Sequence, residues 1–214
     1  MRKYTVTFYS GNYRARQRDA NRDGADLYVE HHFNSFFLPG PDYCVAVVAK
    51  NASSRSIHFA TIYTQLIHEL LGCPLRADGP VIIGGFKGRG NGNLKHTKMP
   101  AVLLEPLFIS NPDSAAFVAT IDGREALAGV LVAAICEFLP DGGCIAFSVG
   151  HKGRTFRPRD RGAALYPGIP VEGNVPPTEA DLAEDVLLRA AQMLARASQR
   201  SPASQSSKGT ESER

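Results

Sequence analysis

Residues 25–35 read ADLYVEHHFNS, and the reading of this stretch decides the fold. Leu27, Tyr28 and Val29 form an apolar run with turn residues on either side, Asp23-Gly24 before it and Pro39-Gly40 after it, so the segment predicts a buried strand. The polar residues then fall at the C-terminal end of that strand, where open α/β sheets place their ligand sites. Side chains alternate along a strand, which puts Glu30, His32 and Asn34 on one face and His31 and Phe33 on the other. An imidazole beside a carboxylate and an amide can be one corner of a metal site, or a strand end whose histidines make only hydrogen bonds. The stretch alone leaves both open.

On its N-terminal side, residues 4–9 (YTVTFY) are β-branched and aromatic and predict a strand, and residues 13–22 predict a short polar helix carrying Arg14, Arg16, Arg18 and Arg22. On its C-terminal side, residues 43–49 (YCVAVVA) predict a further strand. Ser54 or Ser56 can then cap a helix that runs to Leu71 with Phe59, Tyr63, Leu66, Ile67 and Leu70 on one face and Gly72 as its stop. Residues 84–93 (GGFKGRGNGN) lack the Gly-Lys-Ser/Thr of a phosphate cradle and are expected to be a mobile loop.

Residues 100–108 (PAVLLEPLF) predict a buried strand interrupted only by Glu105, a carboxylate that is costly there unless it is paired, metal-bound or used. Asn111-Pro112 starts a helix, and a second apolar one is expected at about 124–139. Residues 144–149 (CIAFSV) predict one more buried strand. It runs into Gly150-His151-Lys152-Gly153, where the glycines let a ligand approach the backbone. After a loop rich in Arg, Pro and Gly, Thr178 can cap a helix through Ala195 with Leu182, Val186, Ala190, Met193 and Leu194 buried. Residues 198–214 are nearly free of apolar side chains and are expected to be a disordered tail, which leaves 1–197 as a single domain.

Composition narrows the function classes. With 24 Lys+Arg against 21 Asp+Glu the formal charge is only +3, and no aromatic-basic stacking pattern accompanies the arginines, so no nucleic-acid partner is expected. The four cysteines, Cys44, Cys73, Cys136 and Cys144, have no CxxC spacing and sit mostly in apolar runs, which points to buried free thiols. No stretch is long enough to span a membrane, and residues 1–16 lack the apolar segment of a signal peptide, so the sequence does not show an export route.

Three blocks together resemble the zinc-dependent N-acetylmuramoyl-L-alanine amidases, which cut the glycan from the stem peptide of peptidoglycan. Residues 16–35 (RQRDANRDGADLYVEHHFNS) resemble that family's segment of an arginine, an Ala-Asn pair and a strand ending in His-x-Asn. Residues 94–112 (LKHTKMPAVLLEPLFISNP) resemble its closing strand with the catalytic Glu and the "FxSN" that follows. Residues 144–153 with 179–194 (EADLAEDVLLRAAQML) resemble its opening strand, its Gly-His-x-Gly turn and a first helix that begins with a metal-binding Glu.

In the family this third block comes first, whereas here it comes last. The order implies a circular permutation, with the old ends joined through residues 139–143 and new ends between the Glu179 helix and the Tyr4 strand. The implied fold is a single three-layer α/β domain with a mixed, mostly parallel sheet between helices. The Glu179 helix should then end near the start of the Tyr4 strand.

The resemblance implies zinc held by His32, His151 and Glu179, Glu105 as the catalytic carboxylate, and Asn34 and Lys95 against the substrate. Two imidazoles and one carboxylate leave the open position that catalytic zinc needs. It further implies a peptidoglycan or muropeptide substrate, a monomer, and action on the bacterial wall. The compartment would be periplasmic, extracellular, or cytoplasmic until release.

The chain departs from the family pattern in several places. Glu30-His31 replaces a small or apolar pair, so Glu30 is either a partner of His32 or a competing ligand. Leu107 stands where Gly is common, and Lys95 stands where the family carries arginine. The loop before Glu179 is long enough for Glu172 or Glu184 to be the ligand instead. His58 and His68 are expected to be structural or exposed, and His96 stays open. The arginines of 154–161 either bind the anionic wall polymer or are simply solvated. A permuted domain that binds wall fragments without cutting them is the alternative function.

Overall fold

The computed structural model of the chain describes residues 3–171 and 175–199. The strands are β1 (Lys3–Tyr9), β2 (Leu27–His31), β3 (Val45–Val48), β4 (Val81–Ile83), β5 (Ala101–Glu105) and β6 (Gly142–Val149). The helices are α1 (Tyr13–Arg22), α2 (Ser54–Leu71), α3 (Asn91–Leu94), α4 (Pro112–Ala119), α5 (Ile121–Phe138) and α6 (Glu179–Gln199). The six strands form one mixed sheet in the order β1-β6-β2-β5-β3-β4. Neighbours are parallel except β5 and β3, which pair antiparallel.

The alternation of β2 sorts its side chains into two layers. Leu27 and Val29 join Ile145, Phe147, Val102 and Leu104 in the larger core, under α2, α5 and α6. Tyr28 joins Ala146, Ala101, Leu103 and Leu94 in a smaller core against α1 and α3. Each fully buried Leu, Val or Phe contributes roughly 1.5–3 kcal/mol, so the larger core supplies most of the stability. The result is the expected three-layer α/β domain.

The end of α6 lies against the start of β1, where Tyr4 N donates to Ser198 Oγ at 2.9 Å. This adjacency is what a permuted order requires. The proposed tail falls mostly at residues 200–214, outside the described residues, and α6 itself continues through Gln199.

Several local expectations are corrected. Ser53, rather than Ser54 or Ser56, caps α2, its hydroxyl accepting from Ser56 N, while Gly72 ends the helix in the left-handed conformation as expected. The glycine-rich segment 84–93 is built into the fold: its end forms α3, and Asn91 Oδ1 accepts from Lys50 N at 2.8 Å. Among the thiols only Cys44 is buried; Cys73 and Cys136 are half-buried and Cys144 is exposed, all of them free. Among the described residues no helix is long and apolar enough to cross a membrane.

Candidate metal centre

β2, β6 and α6 bring their ends together at the C-terminal edge of the sheet. His32 immediately follows β2, His151 follows β6 by two residues, and Glu179 opens α6. Their ligand atoms lie within 4.8 Å of one another. Glu179 Oε1 stands 2.7 Å from His32 Nδ1 and 3.3 Å from His151 Nε2.

The ring nitrogens that face away from this meeting point are also held by carboxylates. His32 Nε2 is 2.8 Å from Glu30 Oε1, and His151 Nδ1 is 2.8 Å from Asp160 Oδ1. Such backing fixes which nitrogen each ring offers and strengthens it as a ligand. Glu30 is therefore the partner of His32, as one of the two sequence readings allowed.

Glu30 is fully buried and is the hub of a polar network. It accepts from Asn93 Nδ2 at 2.6 Å, from Ser148 Oγ at 3.1 Å and from Tyr28 Oη at 3.3 Å. Burial alone would raise its carboxyl, yet the His32 ring, Arg16 and Asn93 hold it below the ordinary range. Buried Arg16 closes the network: its Nη1 donates to Ser148 Oγ and Val149 O, both at 2.7 Å, its Nε to Gly11 O, and its Nη2 to Lys152 O. One guanidinium thus ties α1 to the turn that carries His151. Arg16→Ala should cost about 3 kcal/mol of unfolding free energy in a urea titration, because it strands these acceptors in the core. A loss below about 0.5 kcal/mol, within the range of ordinary surface substitutions, would contradict this role.

Two glycines make the close approach possible. A Cβ on Gly150 would lie 2.5 Å from the His32 ring, and one on Gly162, at φ +76°, would overlap the Glu179 carboxylate. His151 itself adopts φ +59°, the left-handed region, a strain of roughly 1–3 kcal/mol of the kind found at functional sites.

The electrostatics follow the geometry. Burial opposes charge on His32, but the hydrogen bonds to Glu179 and Glu30 push its ring up to about 10. Burial would raise Glu179, but His151 and His32 hold it down to about 2. His31 points into the core against Phe33, with ring centroids 5.1 Å apart and no hydrogen-bond partner at either nitrogen among the described residues. Burial pushes it down to about 3, so it is neutral. Strand alternation thus gives two adjacent histidines opposite roles.

The remaining candidates lie around this centre. Glu105 ends β5 beside β2, half-buried and within electrostatic reach of His32, Glu179 and His151. Burial raises its carboxyl to about 7, with the Glu179 charge adding to the rise and His32 opposing it. Asn34 turns its Oδ1 back to Ser35 N at 3.0 Å. Lys95 is exposed and lines a cavity of about 350 Å³. Glu184 pairs with Lys152 outside the cluster, and Glu172 lies outside the described residues. His58 and His68 are exposed on α2, as expected.

Asp160 and Asn93 escaped the sequence reading. Asp160 sits in a loop without periodicity, and Asn93 lies in the glycine-rich segment read as mobile. The one available signal was the Asp-Arg-Gly of residues 160–162, a turn sequence in which Gly162 N donates to Asp160 Oδ1.

The sequence pattern of the Amidase_3 family, described as N-acetylmuramoyl-L-alanine amidase, matches residues 3–137. No curated protein matches the chain. Among solved structures, the catalytic domain of CwlV, an N-acetylmuramoyl-L-alanine amidase from Bacillus (Paenibacillus) polymyxa var. colistinus, superposes with a TM-score of 0.52 at 24% identity. That match covers 61% of this chain and 66% of CwlV. An N-acetylmuramoyl-L-alanine amidase from Clostridium difficile 630 gives 0.53 at 20%, covering 60% and 66%. The CwlD amidase of Clostridioides difficile, solved with the GerS lipoprotein, gives 0.51 at 16%, covering 59% and 61%. The chain thus spans at most about two thirds of the length of these structures, and at these identities the likeness is one of fold. The family match, which covers more than half of the residues, carries the assignment: the chain belongs to the N-acetylmuramoyl-L-alanine amidase family.

Proposed function

We propose that the chain is a circularly permuted, zinc-dependent N-acetylmuramoyl-L-alanine amidase that hydrolyses the amide bond between N-acetylmuramic acid and L-alanine in peptidoglycan. The observation that carries this reading is the convergence of His32 Nδ1 and His151 Nε2 on the Glu179 carboxylate within an amidase fold. The segment order supports the permutation: the family match ends at residue 137, and His151 and Glu179 both lie beyond it.

The donor set suits zinc, with two imidazoles anchored at their far nitrogens and one buried carboxylate. Zinc held by His32, His151 and Glu179 would supply an activated water, with its pKa lowered to about 7, and polarise the lactyl carbonyl. Glu105 moves the proton, taking it from the attacking water and delivering it to the L-alanine nitrogen as the amide C–N bond breaks. A carboxyl raised to about 7 suits both halves of that transfer near neutral pH. Lys95 offers an ammonium and Asn34 its Nδ2 to hold the substrate.

The test is incubation of zinc-loaded protein with purified peptidoglycan. New L-alanine amino termini, with no new reducing sugar ends, are expected; no amino termini would refute the reading.

Glu30→Gln probes the support under His32. The amide replaces an ionised acceptor that serves four donors, so zinc affinity should fall about 10–100-fold in a chelator competition. Affinity within twofold of the unsubstituted protein would show that Glu30 does not support the ligand.

A further inference from the structure

Arg14, Arg18 and Arg22 recur at intervals of four along α1 and form one stripe, about 12 Å long at 1.5 Å per residue. The stripe lines one wall of a cavity of about 570 Å³ whose other wall carries His96 and Lys98. A second cavity, of about 350 Å³, adjoins the first at Arg14 and His96, which line both, and adds Lys95 and Arg154, so the two together present a basic groove. At its inner end Arg154 Nη1 is 2.8 Å from Asp160 Oδ2, and Asp160 is the residue that backs His151. Through Asp160 the basic surface is connected to His151, on the side of the ring that faces away from Glu179.

Its walls are locked together. Buried Gln17 accepts from His96 N at 2.8 Å and donates to Gly92 O at 3.0 Å. Asn21 donates to His96 O and accepts from Lys98 N, each at 2.7 Å. Arg18 and Arg22 have local partners in Asp19 and Asp23, but among the described residues no carboxylate pairs with Arg14, Lys95 or Lys98. Arg14, Lys95 and Lys98 are thus held on a preformed surface without carboxylate partners among the described residues, an arrangement suited to a ligand that brings negative charge.

We propose that this groove binds the free carboxylates of peptidoglycan stem peptides. The proposal rests on the amidase reading for the identity of the polymer. Guanidinium forks pair with carboxylates through two hydrogen bonds, and a row of them at helical spacing engages successive charges rather than one.

The test is co-sedimentation of the metal-depleted full chain with insoluble peptidoglycan, so that binding is read without cleavage. The charge-reversed variant Arg14→Glu/Lys98→Glu should bind about tenfold more weakly at low salt, and the difference should shrink at 0.5 M salt. The charge-conserving variant Arg14→Lys/Lys98→Arg should bind as the unsubstituted chain does. Peptidoglycan with amidated carboxylates should bind the unsubstituted chain as weakly as the charge-reversed variant binds the native polymer, which tests the idea even if that variant fails to fold. Equal binding to native and amidated polymer would overturn the proposal, as would displacement of the protein by polyphosphate or duplex DNA at lower concentration than by soluble stem peptide. Carboxylate-dependent binding without release of L-alanine amino termini by zinc-loaded protein would support the groove while refuting the amidase reading.

Discussion

Glu105→Gln is expected to lower the rate of muramoyl-L-alanine cleavage by about 10²–10⁴-fold, the span typical of a lost general base, while the protein keeps its zinc. The substitution is nearly isosteric, and Glu105 stands outside the three-residue cluster, so neither the fold nor the ion should be disturbed. The two effects are separated by measuring metal content and kcat on the same preparation. A variant that loses zinc would place Glu105 among the ligands, and one that keeps both zinc and full activity would remove it from the mechanism.

Glu179→Ala should abolish both zinc retention after gel filtration and activity. It takes away the only carboxylate of the cluster, and the two imidazoles left behind are an incomplete set for a tightly held ion. The pH dependence has a definite sign. In the metal-free protein His32 is charged between Glu30 and Glu179, its ring raised to about 10, so loading must expel a proton. Zinc affinity of the unsubstituted protein should therefore rise with pH between 6 and 8 and be accompanied by proton release, measurable calorimetrically in buffers of different ionisation enthalpy. A pH-independent affinity would mean that His32 loses no proton when the ion binds.

How much of this could be read from the sequence depended on whether local chemistry or tertiary contact set the outcome. α1 occupies the ten residues expected of it, and β2 and β6 fall on the expected apolar runs, since burial on both faces leaves an unbroken hydrophobic stretch. β4 is only three residues long and gives no periodic signal. The α2 cap moved to Ser53 because neighbouring serines offer similar caps and their chemistry does not choose between them. Segment 84–93 shows where composition misleads: glycines suggested mobility, yet Asn93 spends its amide on Glu30 and Gln17 pins Gly92.

The same division runs through the site. His32, His151 and Glu179 could be named because each stands at the end of a legible element, and the structure places them together. Asp160 could not, because it reaches His151 from an aperiodic loop where only the tertiary fold assigns a partner. That Glu30 would pair with His32 was likewise undetermined, because Asn93, Ser148 and Tyr28 reach its oxygens only through the tertiary fold.

The account rests on a single ion held jointly by residues from both ends of the chain. Anomalous scattering at the zinc edge, recorded from crystals grown with zinc, tests this directly. One peak is expected at about 2.0–2.2 Å from His32 Nδ1, His151 Nε2 and a Glu179 carboxylate oxygen. A peak elsewhere on the molecule, or none at saturating zinc, would contradict it.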